Sequence, residues 1–330
     1  MLEKTVLIVG GGPAGASCAW KLQNAGMDVL VLDKAAFPRR KLCAGWITPQ
    51  VFQLLGTSPQ DYPHGLLRFR RLICYFRGLR VPVKTRQYSI RRYEFDRWLL
   101  ERAGAPVEQH AVKHIRRENQ HYIVDERYRA RYLVGAGGTH CPVYRQLFGR
   151  VCPRPGDRRI STVEEEFCWD YKDGNCYLWF FDEGLPGYAW YVPKAGGYVN
   201  IGIGGKDAAI KKQGRTIRQY WRHFTGRLQS AGLLPAREFA AQGHVYYTRG
   251  RKPLLSRENA FIAGDAAGLA TADMGEGIGP AIQSGFRAAE AILHQSPCTM
   301  PAAAKYSWPS IVLSGLGDLR RNEAEAPWTV

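Results

Sequence analysis

The feature that most constrains this 330-residue chain is a pair of glycine-rich segments near its two ends. The first, Gly10-x-Gly12-x-x-Gly15, follows residues 5–9, whose β-branched run predicts a buried parallel strand. It leads into residues 14–26, which predict a helix. Glycines at these positions allow a tight turn and close helix–strand packing, so a pyrophosphate can rest on the helix N-terminus.

A second predicted strand, residues 28–32, ends in Asp33, whose carboxylate lies about where a ribose hydroxyl pair needs an acceptor. Pro13 and Ala14 within the turn, and Lys34 after the acid, complete this candidate site. The unit predicts binding of an ADP moiety but does not distinguish NAD from FAD. A glycine-rich turn in another kind of α/β protein is the alternative.

The second segment, Gly264-Asp265-Ala266-Ala267-Gly268, follows a predicted strand at 260–263. Asp265 therefore stands at the carboxyl end of a strand, where ligands gather in open α/β sheets. Gly275-Glu276-Gly277-Ile278 then opens a long predicted helix whose first amides could face the electron-rich N1/O2 edge of an isoalloxazine ring. Together the two segments predict one bound FAD, whereas a helix-capping aspartate in a small-residue loop is the alternative for the second segment alone.

These two segments, with Arg92-x-x-Phe95-Asp96-x-x-Leu99 between them, resemble the p-hydroxybenzoate hydroxylase class of flavoproteins. Cys43-Ala44-Gly45 and the segment Gly187–Lys194 are similar to the geranylgeranyl reductase branch, whose members saturate isoprenoid double bonds with reduced FAD. The resemblance implies that Cys43 lies beside the flavin, that Asp265 holds the ribityl chain, and that Arg92 and Val112 contact the cofactor. The predicted cofactor-binding residues are Gly10, Gly12, Pro13, Ala14, Gly15, Asp33, Lys34, Cys43, Ala44, Gly45, Arg92, Val112, Gly264, Asp265, Gly275, Gly277 and Ile278.

The chain departs from the family pattern at two places. Many relatives have an Asp-Gly pair where this chain has Gly137-Gly138, and in the hydroxylases that pair helps to handle FAD and NADPH. The electron donor therefore stays open between NAD(P)H and reduced ferredoxin. The central aromatic motif has Val192 where Phe is usual, and its upstream proline is displaced to Pro186.

The predicted fold is α/β: a Rossmann-like, three-layer (ββα) FAD-binding part with an inserted antiparallel sheet that forms a substrate layer. We assign residues 1–75, 89–160 and 245–298 to the FAD-binding domain, 76–88 and 161–244 to the substrate domain, and 299–330 to a C-terminal tail. The middle predicts strands at 128–134, 160–167, 176–181, 188–192 and 198–203, and one polar helix at 207–228.

The formal net charge is +17, which predicts attraction to anions. The candidates are the FAD pyrophosphate, an anionic substrate, an acidic electron-donor protein and an anionic membrane surface, and a solvated basic surface is the plainest alternative. Nucleic acid is not expected, because the charges are dispersed and no recognised motif accompanies them. Eight cysteines without a CxxC pair or zinc-type spacing predict reduced thiols and no metal site.

No stretch approaches about 18 consecutive apolar residues, and no cleavable signal is visible. We therefore expect a cytoplasmic protein, with peripheral association at a membrane surface as an open alternative.

The cofactor carries most of the chemistry in such proteins. The protein must place a double bond, exclude water and supply a proton. Cys43 and Tyr188 are the predicted proton donors, and Tyr188 and Trp190 share one strand face that could form a substrate wall. The alternatives are a packing role for Cys43 and a plain core role for the aromatic residues. His140 is expected to be structural.

The resemblance predicts an FAD-dependent oxidoreductase that reduces carbon–carbon double bonds of an isoprenoid or other apolar, lipid-like substrate by hydride transfer from flavin N5. A monooxygenase or halogenase acting through a C4a-hydroperoxyflavin is the alternative. Halogenases carry Trp-x-Trp-x-Ile-Pro where this chain has Tyr188-x-Trp190-x-Val192-Pro193. A non-catalytic flavin-binding protein is a third interpretation.

Overall fold

A computed structural model describes residues 1–300, and it contains two large β-sheets with helices packed against them. The part of the predicted tail from residue 301 onward lies outside the described residues. The strands are β1 (Leu2–Val9), β2 (Val29–Asp33), β3 (Trp46–Ile47), β4 (Leu67–Arg68), β5 (Arg71–Phe76), β6 (Leu79–Lys84), β7 (Tyr88–Ser89), β8 (Val107–Gln109), β9 (Ile115–Glu118), β10 (His121–Val124), β11 (Tyr128–Gly135), β12 (Arg159–Cys168), β13 (Cys176–Phe180), β14 (Gly187–Lys194), β15 (Tyr198–Lys206), β16 (Gln242–Tyr247), β17 (Ser256–Arg257) and β18 (Ala260–Ile262). The helices are α1 (Pro13–Asn24), α2 (Pro49–Leu54), α3 (Arg92–Ala103), α4 (Asp207–Lys212), α5 (Ile217–Ser230) and α6 (Ile278–His294).

The first sheet has the order β17-β18-β11-β1-β2-β8, and β10 and β9 extend it from β11. Strands β8, β2, β1, β11 and β18 run parallel, as the near-continuous apolar runs of β1 and β2 predict for strands buried on both faces. One face packs on α1, α3 and α6, and the other on a core that contains Tyr128 and Phe148. The predicted Rossmann-like α/β architecture is confirmed.

Helices α1 and α6 bring the two ends of the described chain together. They touch through small residues: a Cβ at Gly285 would lie 2.2 Å from the Ala14 carbonyl oxygen. Only glycine permits this approach, so the glycine-rich segment before α6 lies directly against the one before α1.

The second sheet has the order β16-β12-β15-β14-β13-β5-β6 and is antiparallel except for the parallel pair β13–β5. Helices α4 and α5 cover one of its faces, and α5 buries Tyr220, Trp221, Phe224 and Leu228 against it. The prediction of one helix over 207–228 is wrong: Gly214, at φ 65°, ends the first helix, and a Thr216 capping box starts the second.

The second sheet begins earlier in the chain than the predicted division places it. Strand β5 pairs with β13 in the register Leu72–Cys176, so residues 71–75 belong to this sheet and not to the first. At the other end β16 starts at Gln242 and crosses the predicted border at 245. The sequence did not show this because β5 joins the sheet through a partner about 100 residues away.

Strands β3, β7 and β4 form a small third sheet. Among residues 1–300, no helix combines the length and the apolar character needed to cross a membrane.

Candidate functional site

A cavity of about 2380 Å³ lies between the two large sheets. Its walls come from the glycine-rich loops after β1 and β18 on one side and from β12, β14 and β16 on the other. Small-molecule pockets usually measure about 300–1,000 Å³. This cavity therefore has room for a dinucleotide and a second ligand together.

The first glycine-rich loop is shaped by contacts that a side chain would prevent. Gly10 has φ 112°, and a Cβ there would lie 2.4 Å from the Ala136 carbonyl oxygen. Asp33 is buried, and its carboxylate accepts hydrogen bonds from the backbone N–H groups of Gly11 (2.8 Å) and Ala35 (3.0 Å). The acid at the end of β2 is thus tied to the loop that faces the cavity.

Two helices begin at this cavity with glycine N-caps. Gly12 precedes α1 and Gly277 precedes α6, so neither N-cap residue has a side chain, and in α6 the Glu276 carboxylate accepts a hydrogen bond from the Gly279 N–H (3.0 Å). Their first N–H groups and positive dipole ends are therefore available to an anionic ligand group. A Cβ on Gly264 would lie 3.2 Å from the Ala14 side chain, so the two loops are neighbours.

Asp265 stands at the carboxyl end of β18, as predicted, beside two basic side chains from distant segments. His244 Nε2 lies 4.0 Å from its Oδ2, and Lys41 Nζ lies 2.9 Å from the same His244 nitrogen. Burial alone would raise the pKa of Asp265, but His244 and Lys41 hold it below its usual value. Burial lowers the pKa of Lys41. Asp265 is therefore a carboxylate at neutral pH.

Arg92 lies at the start of α3 and reaches the cavity as a rigid cation. It is buried and donates two hydrogen bonds to Asp96, at 2.6 and 2.8 Å. Burial opposes its charge, but Asp96 and Cys43 more than offset that effect and keep the pKa of Arg92 above its ordinary value. This fixed guanidinium faces the loop that carries Cys43.

The Cys43 loop is held by the second sheet as well. The Cys43 carbonyl accepts a hydrogen bond from Asn200 Nδ2 (3.4 Å), and Asn200 Oδ1 accepts one from Trp190 Nε1 (2.7 Å). A Cβ at Gly45 would lie 2.1 Å from the Ile90 carbonyl oxygen and 2.4 Å from Lys194 Nζ. Gly45 is therefore a packing residue, whereas Cys43 and Ala44 line the cavity.

Tyr188 and Trp190 project from β14 into the cavity, whereas Tyr191 on the same strand packs under the helices. The Tyr188 hydroxyl donates to the Met274 carbonyl at 2.5 Å, and burial raises its pKa well above the usual value. Phe180 continues this wall, but Trp179 lies on the helix side against Phe224. Tyr188, Trp190 and Phe180 therefore form an aromatic wall of the cavity, and Trp179 and Tyr191 belong to the core under the helices.

Most of the predicted site residues meet at this cavity. All of the predicted catalytic and cofactor-binding positions line it except Gly15 and Gly45. A Cβ on Gly15 would lie 1.8 Å from the Gly10 carbonyl oxygen, so this glycine serves helix packing, as its position in the motif predicts. His140 also faces the cavity, and burial lowers its pKa.

The sequence analysis missed Glu164, which lines the cavity, and Arg154, which connects two of the loops around it. Glu164 on β12 is buried, and burial raises its pKa to about 7 against the opposing charges of Lys194 and Lys41. Arg154 donates to the carbonyls of Thr139 and Ala266, both at 2.6 Å, and so joins the Gly137-Gly138 loop to the Asp265 segment. The one available signal was the alternation of Thr162, Glu164 and Glu166 on one face of a predicted strand.

The cavity suits a large anionic cofactor. Twelve Lys and Arg side chains line it against five Asp and Glu side chains, so its field favours phosphate groups. Two helix N-termini with glycine N-caps, the hydrogen-bonded Asp33 carboxylate and an apolar far wall suit the pyrophosphate, the ribose and the ring of FAD. Among residues 1–300, no group of His, Cys, Asp or Glu side chains is arranged to hold a metal ion.

Comparisons with known proteins agree with this geometry. The family described as FAD dependent oxidoreductase matches residues 5–98. Digeranylgeranylglycerophospholipid reductase 1 of Methanopyrus kandleri is 32% identical over 220 residues, a match that spans 62% of this chain and 58% of that relative.

Two solved structures show the same fold. A geranylgeranyl bacteriochlorophyll reductase-like protein of Thermoplasma acidophilum superimposes with a TM-score of 0.75 at 20% identity, over 97% of this chain and 84% of that one. The flavin-dependent halogenase CmlS superimposes with a TM-score of 0.69 at 20% identity, over 90% of this chain and 59% of that one. The chain is therefore similar to FAD-dependent oxidoreductases over residues 5–98, and to a digeranylgeranylglycerophospholipid reductase of which it spans little more than half the length.

Proposed function

We propose that this protein reduces carbon–carbon double bonds of an isoprenoid or other apolar substrate. The observation that carries the proposal is the continuity of the cavity, which joins two glycine-capped helix N-termini to the aromatic face of the second sheet. A cofactor and an apolar chain can therefore lie against each other. The name of the Methanopyrus relative, an isoprenoid lipid reductase, supports this substrate class.

In this proposal the FAD pyrophosphate lies on the N-terminus of α1, at Gly10, Gly12, Pro13 and Ala14. Asp33 and Lys34 hold the ribose of the ADP half, with Val112 near the adenine, and Asp265 holds the ribityl chain. Arg92, Cys43, Ala44, Gly264, Gly275, Gly277 and Ile278 surround the flavin. When bound and reduced, FAD supplies the hydride that the reaction requires.

The protein's own contribution is a rigid, water-poor wall for the alkene. Tyr188 and Trp190 are each fixed by a hydrogen bond, to Met274 and Asn200, and Phe180 stacks with Phe76 at 4.7 Å between ring centroids. Fixed aromatic faces orient an apolar chain without losing side-chain entropy on binding. Replacing Trp190 by Ala is expected to raise the KM for a polyprenyl substrate more than it lowers FAD affinity.

The role of Cys43 is tested separately. Its thiol lies in the cavity beside Arg92 and accepts a weak hydrogen bond from Gly45 N–H at 3.3 Å. If Cys43→Ala reduces substrate in a single turnover as fast as the wild type, the thiol has no part in proton transfer.

The electron donor belongs to one of two classes, reduced NAD(P)H or a small acidic redox protein such as reduced ferredoxin. The cationic cavity rim, which includes Arg68, Arg70, Arg71 and Lys206, favours an anionic donor of either class. Flavin reduction by ferredoxin should slow steeply with added salt, because two extended charged surfaces must meet. Rapid reduction by NADPH alone would remove the need for a protein donor.

We infer that the end of the second sheet touches an anionic membrane surface. Leu79 (67% exposed), which opens β6, and Phe181 (59% exposed), which follows β13, lie at the same end of the sheet, because Phe76 at the end of β5 pairs with both Leu79 and Phe180. Arg77 and Arg80 flank them, and Phe181 also lines the cavity mouth. Leu79→Ser with Phe181→Ser should abolish flotation with phosphatidylglycerol vesicles, whereas Val107→Ser, on the other sheet, should not.

The central test compares two oxidants of the reduced protein. Protein reduced anaerobically with dithionite is mixed with geranylgeraniol or with oxygen, and the flavin spectrum is followed. Reoxidation by the alkene without oxygen supports the reductase. A hydroxylated or halogenated product formed only with oxygen would favour the monooxygenase or halogenase alternative, and a protein that binds no FAD would remove all of these functions.

A further inference from the structure

We propose that Glu164 is the acid that supplies the proton consumed when the double bond is reduced. The inference rests on the proposed reductase function and adds to it a residue that the family motifs do not contain. It is drawn from the position of Glu164 in the sheet, its burial and the charges around it.

Glu164 lies in the row of the second sheet that also carries Trp190. It pairs with Gly202 on β15, and Gly202 pairs in turn with Trp190 on β14. A Cβ on Gly202 would lie 2.1 Å from the Trp190 ring and 2.9 Å from the Glu164 Cβ. Because Gly202 has no side chain, the Trp190 indole can lie over it toward Glu164. Glu164 and the proposed substrate wall are therefore adjacent on the cavity face of the sheet.

The surroundings of Glu164 keep a large fraction of the carboxyl protonated near neutral pH. The residue is 3% exposed, and its Oε1 has no hydrogen-bond partner among the described residues. Burial is the largest influence and raises the pKa to about 7. The pKa is lowered by Lys194 on β14, by Lys41 and by the N–H of Cys43. The other ionisable groups beside the carboxyl are Glu166 on the same strand and Tyr246 on β16.

The same surroundings stabilise the anion once the proton has left. Hydride addition to one carbon of a double bond leaves the other carbon in need of a proton. The Glu164 O–H bond breaks, a C–H bond forms at that second carbon, and the electron pair stays on the carboxylate beside Lys41 and Lys194. Solvent returns the proton to Glu164 through the cavity, and a bound, reduced flavin would supply the hydride.

The other buried acids at the cavity are already engaged. Glu276, whose pKa is also raised to about 7 by burial, accepts a hydrogen bond from Gly279 N–H at 3.0 Å and so caps its own helix. Tyr188 commits its proton to the Met274 carbonyl. Glu164 pairs through Gly202 with Trp190 in the aromatic wall, and its Oε1 has no hydrogen-bond partner among the described residues, while the Cys43 N–H approaches the carboxyl.

An infrared titration of the purified protein tests the protonation state without any turnover. The wild type should show the carbonyl band of a buried protonated carboxyl at pH 5.5 that is lost by about pH 8.5. The band should be weaker in Glu164→Gln, where only Glu276 still contributes to it, and unchanged in the matched control Glu165→Gln, whose side chain pairs with Arg237 on the opposite face of β12. An identical titration in wild type and Glu164→Gln would overturn the proposal.

A single-turnover experiment tests the transfer itself. Glu164→Gln, reduced by dithionite, should reoxidise with geranylgeraniol about 100-fold or more slowly than the wild type and without its pH dependence. Dithionite reduction and FAD content should be unchanged. If Glu164→Gln reoxidises at the wild-type rate and with the wild-type pH profile, the role of Glu164 is overturned and the reductase function is not affected. If the reduced wild type is not reoxidised by geranylgeraniol, the reductase function is contradicted, whereas the infrared result on the protonation of Glu164 is not affected.

Discussion

The two faces of the second sheet are built from the same strands but differ in what they bury. On the helix side, Val163, Trp179, Tyr191 and Ile203 pack with α5 into a continuous apolar core. On the cavity side, the alternate positions are Thr162, Glu164, Trp190 and Gly204, a mixture of polar, aromatic and glycine residues. Aromatic residues occur on both faces, so the face, and not the residue type, decides whether a side chain serves stability or the site.

The largest effect on stability is expected on the helix face. Phe224 is 2% exposed, and its ring lies 5.3 Å from that of Trp179. Phe224→Ala should lower the free energy of unfolding by about 3–5 kcal/mol, measured by urea denaturation, because the cavity it leaves cannot collapse fully. Phe181→Ala, at an exposed position, should change it by no more than about 0.5 kcal/mol. Equal losses would contradict the distinction between the faces.

The next effect depends on pH and belongs to the cavity face. The pKa of Glu164 is raised from 4.5 to about 7 in the folded protein, so its contribution to stability is present below about pH 4.5 and is lost as the pH rises through 7. Relative to Glu164→Gln, the wild type should therefore lose about 3 kcal/mol of unfolding free energy over this range. Urea denaturation at pH 4.5 and pH 8 measures the difference, and Glu165→Gln should show no such change.

A glycine on the cavity face gives a smaller expected effect. In Gly202→Ala the new methyl group must displace the Trp190 ring, which should cost about 1–3 kcal/mol and alter tryptophan fluorescence. The matched change Gly226→Ala, in α5 with no atom near the new methyl group, should instead stabilise the protein by about 0.5–1 kcal/mol. A neutral Gly202→Ala would show that Trp190 is not fixed across the row.

The smallest expected effect is the loss of one hydroxyl. Tyr188→Phe removes the hydrogen bond to the Met274 carbonyl and should lower the unfolding free energy by about 1 kcal/mol, measured by urea denaturation. A much larger loss would indicate that this hydroxyl, and not the aromatic ring, holds the wall together.

The sequence was sufficient for elements whose contacts are local. The strand–turn–helix unit around Gly10 and the strand before Asp265 follow from apolar periodicity and glycine spacing, and both are present. It was insufficient where the partner is remote. Strand β5 pairs with β13, and Lys41 meets His244 across about 200 residues of chain. In the sequence, Glu164 is the first of three consecutive glutamates, a pattern typical of an exposed segment. The structure shows that it lies on the cavity face of β12, opposite Gly202 on β15.

The identity of the product of anaerobic turnover tests the central claim most directly. The claim is that the cofactor loops and the cavity face of the second sheet act together on an apolar double bond. Mass spectrometry of geranylgeraniol incubated with the dithionite-reduced protein, without oxygen, should show products heavier by two hydrogen atoms for each double bond reduced. Unchanged alkene in the absence of oxygen, with a product that has gained an oxygen or halogen atom in its presence, would contradict the account.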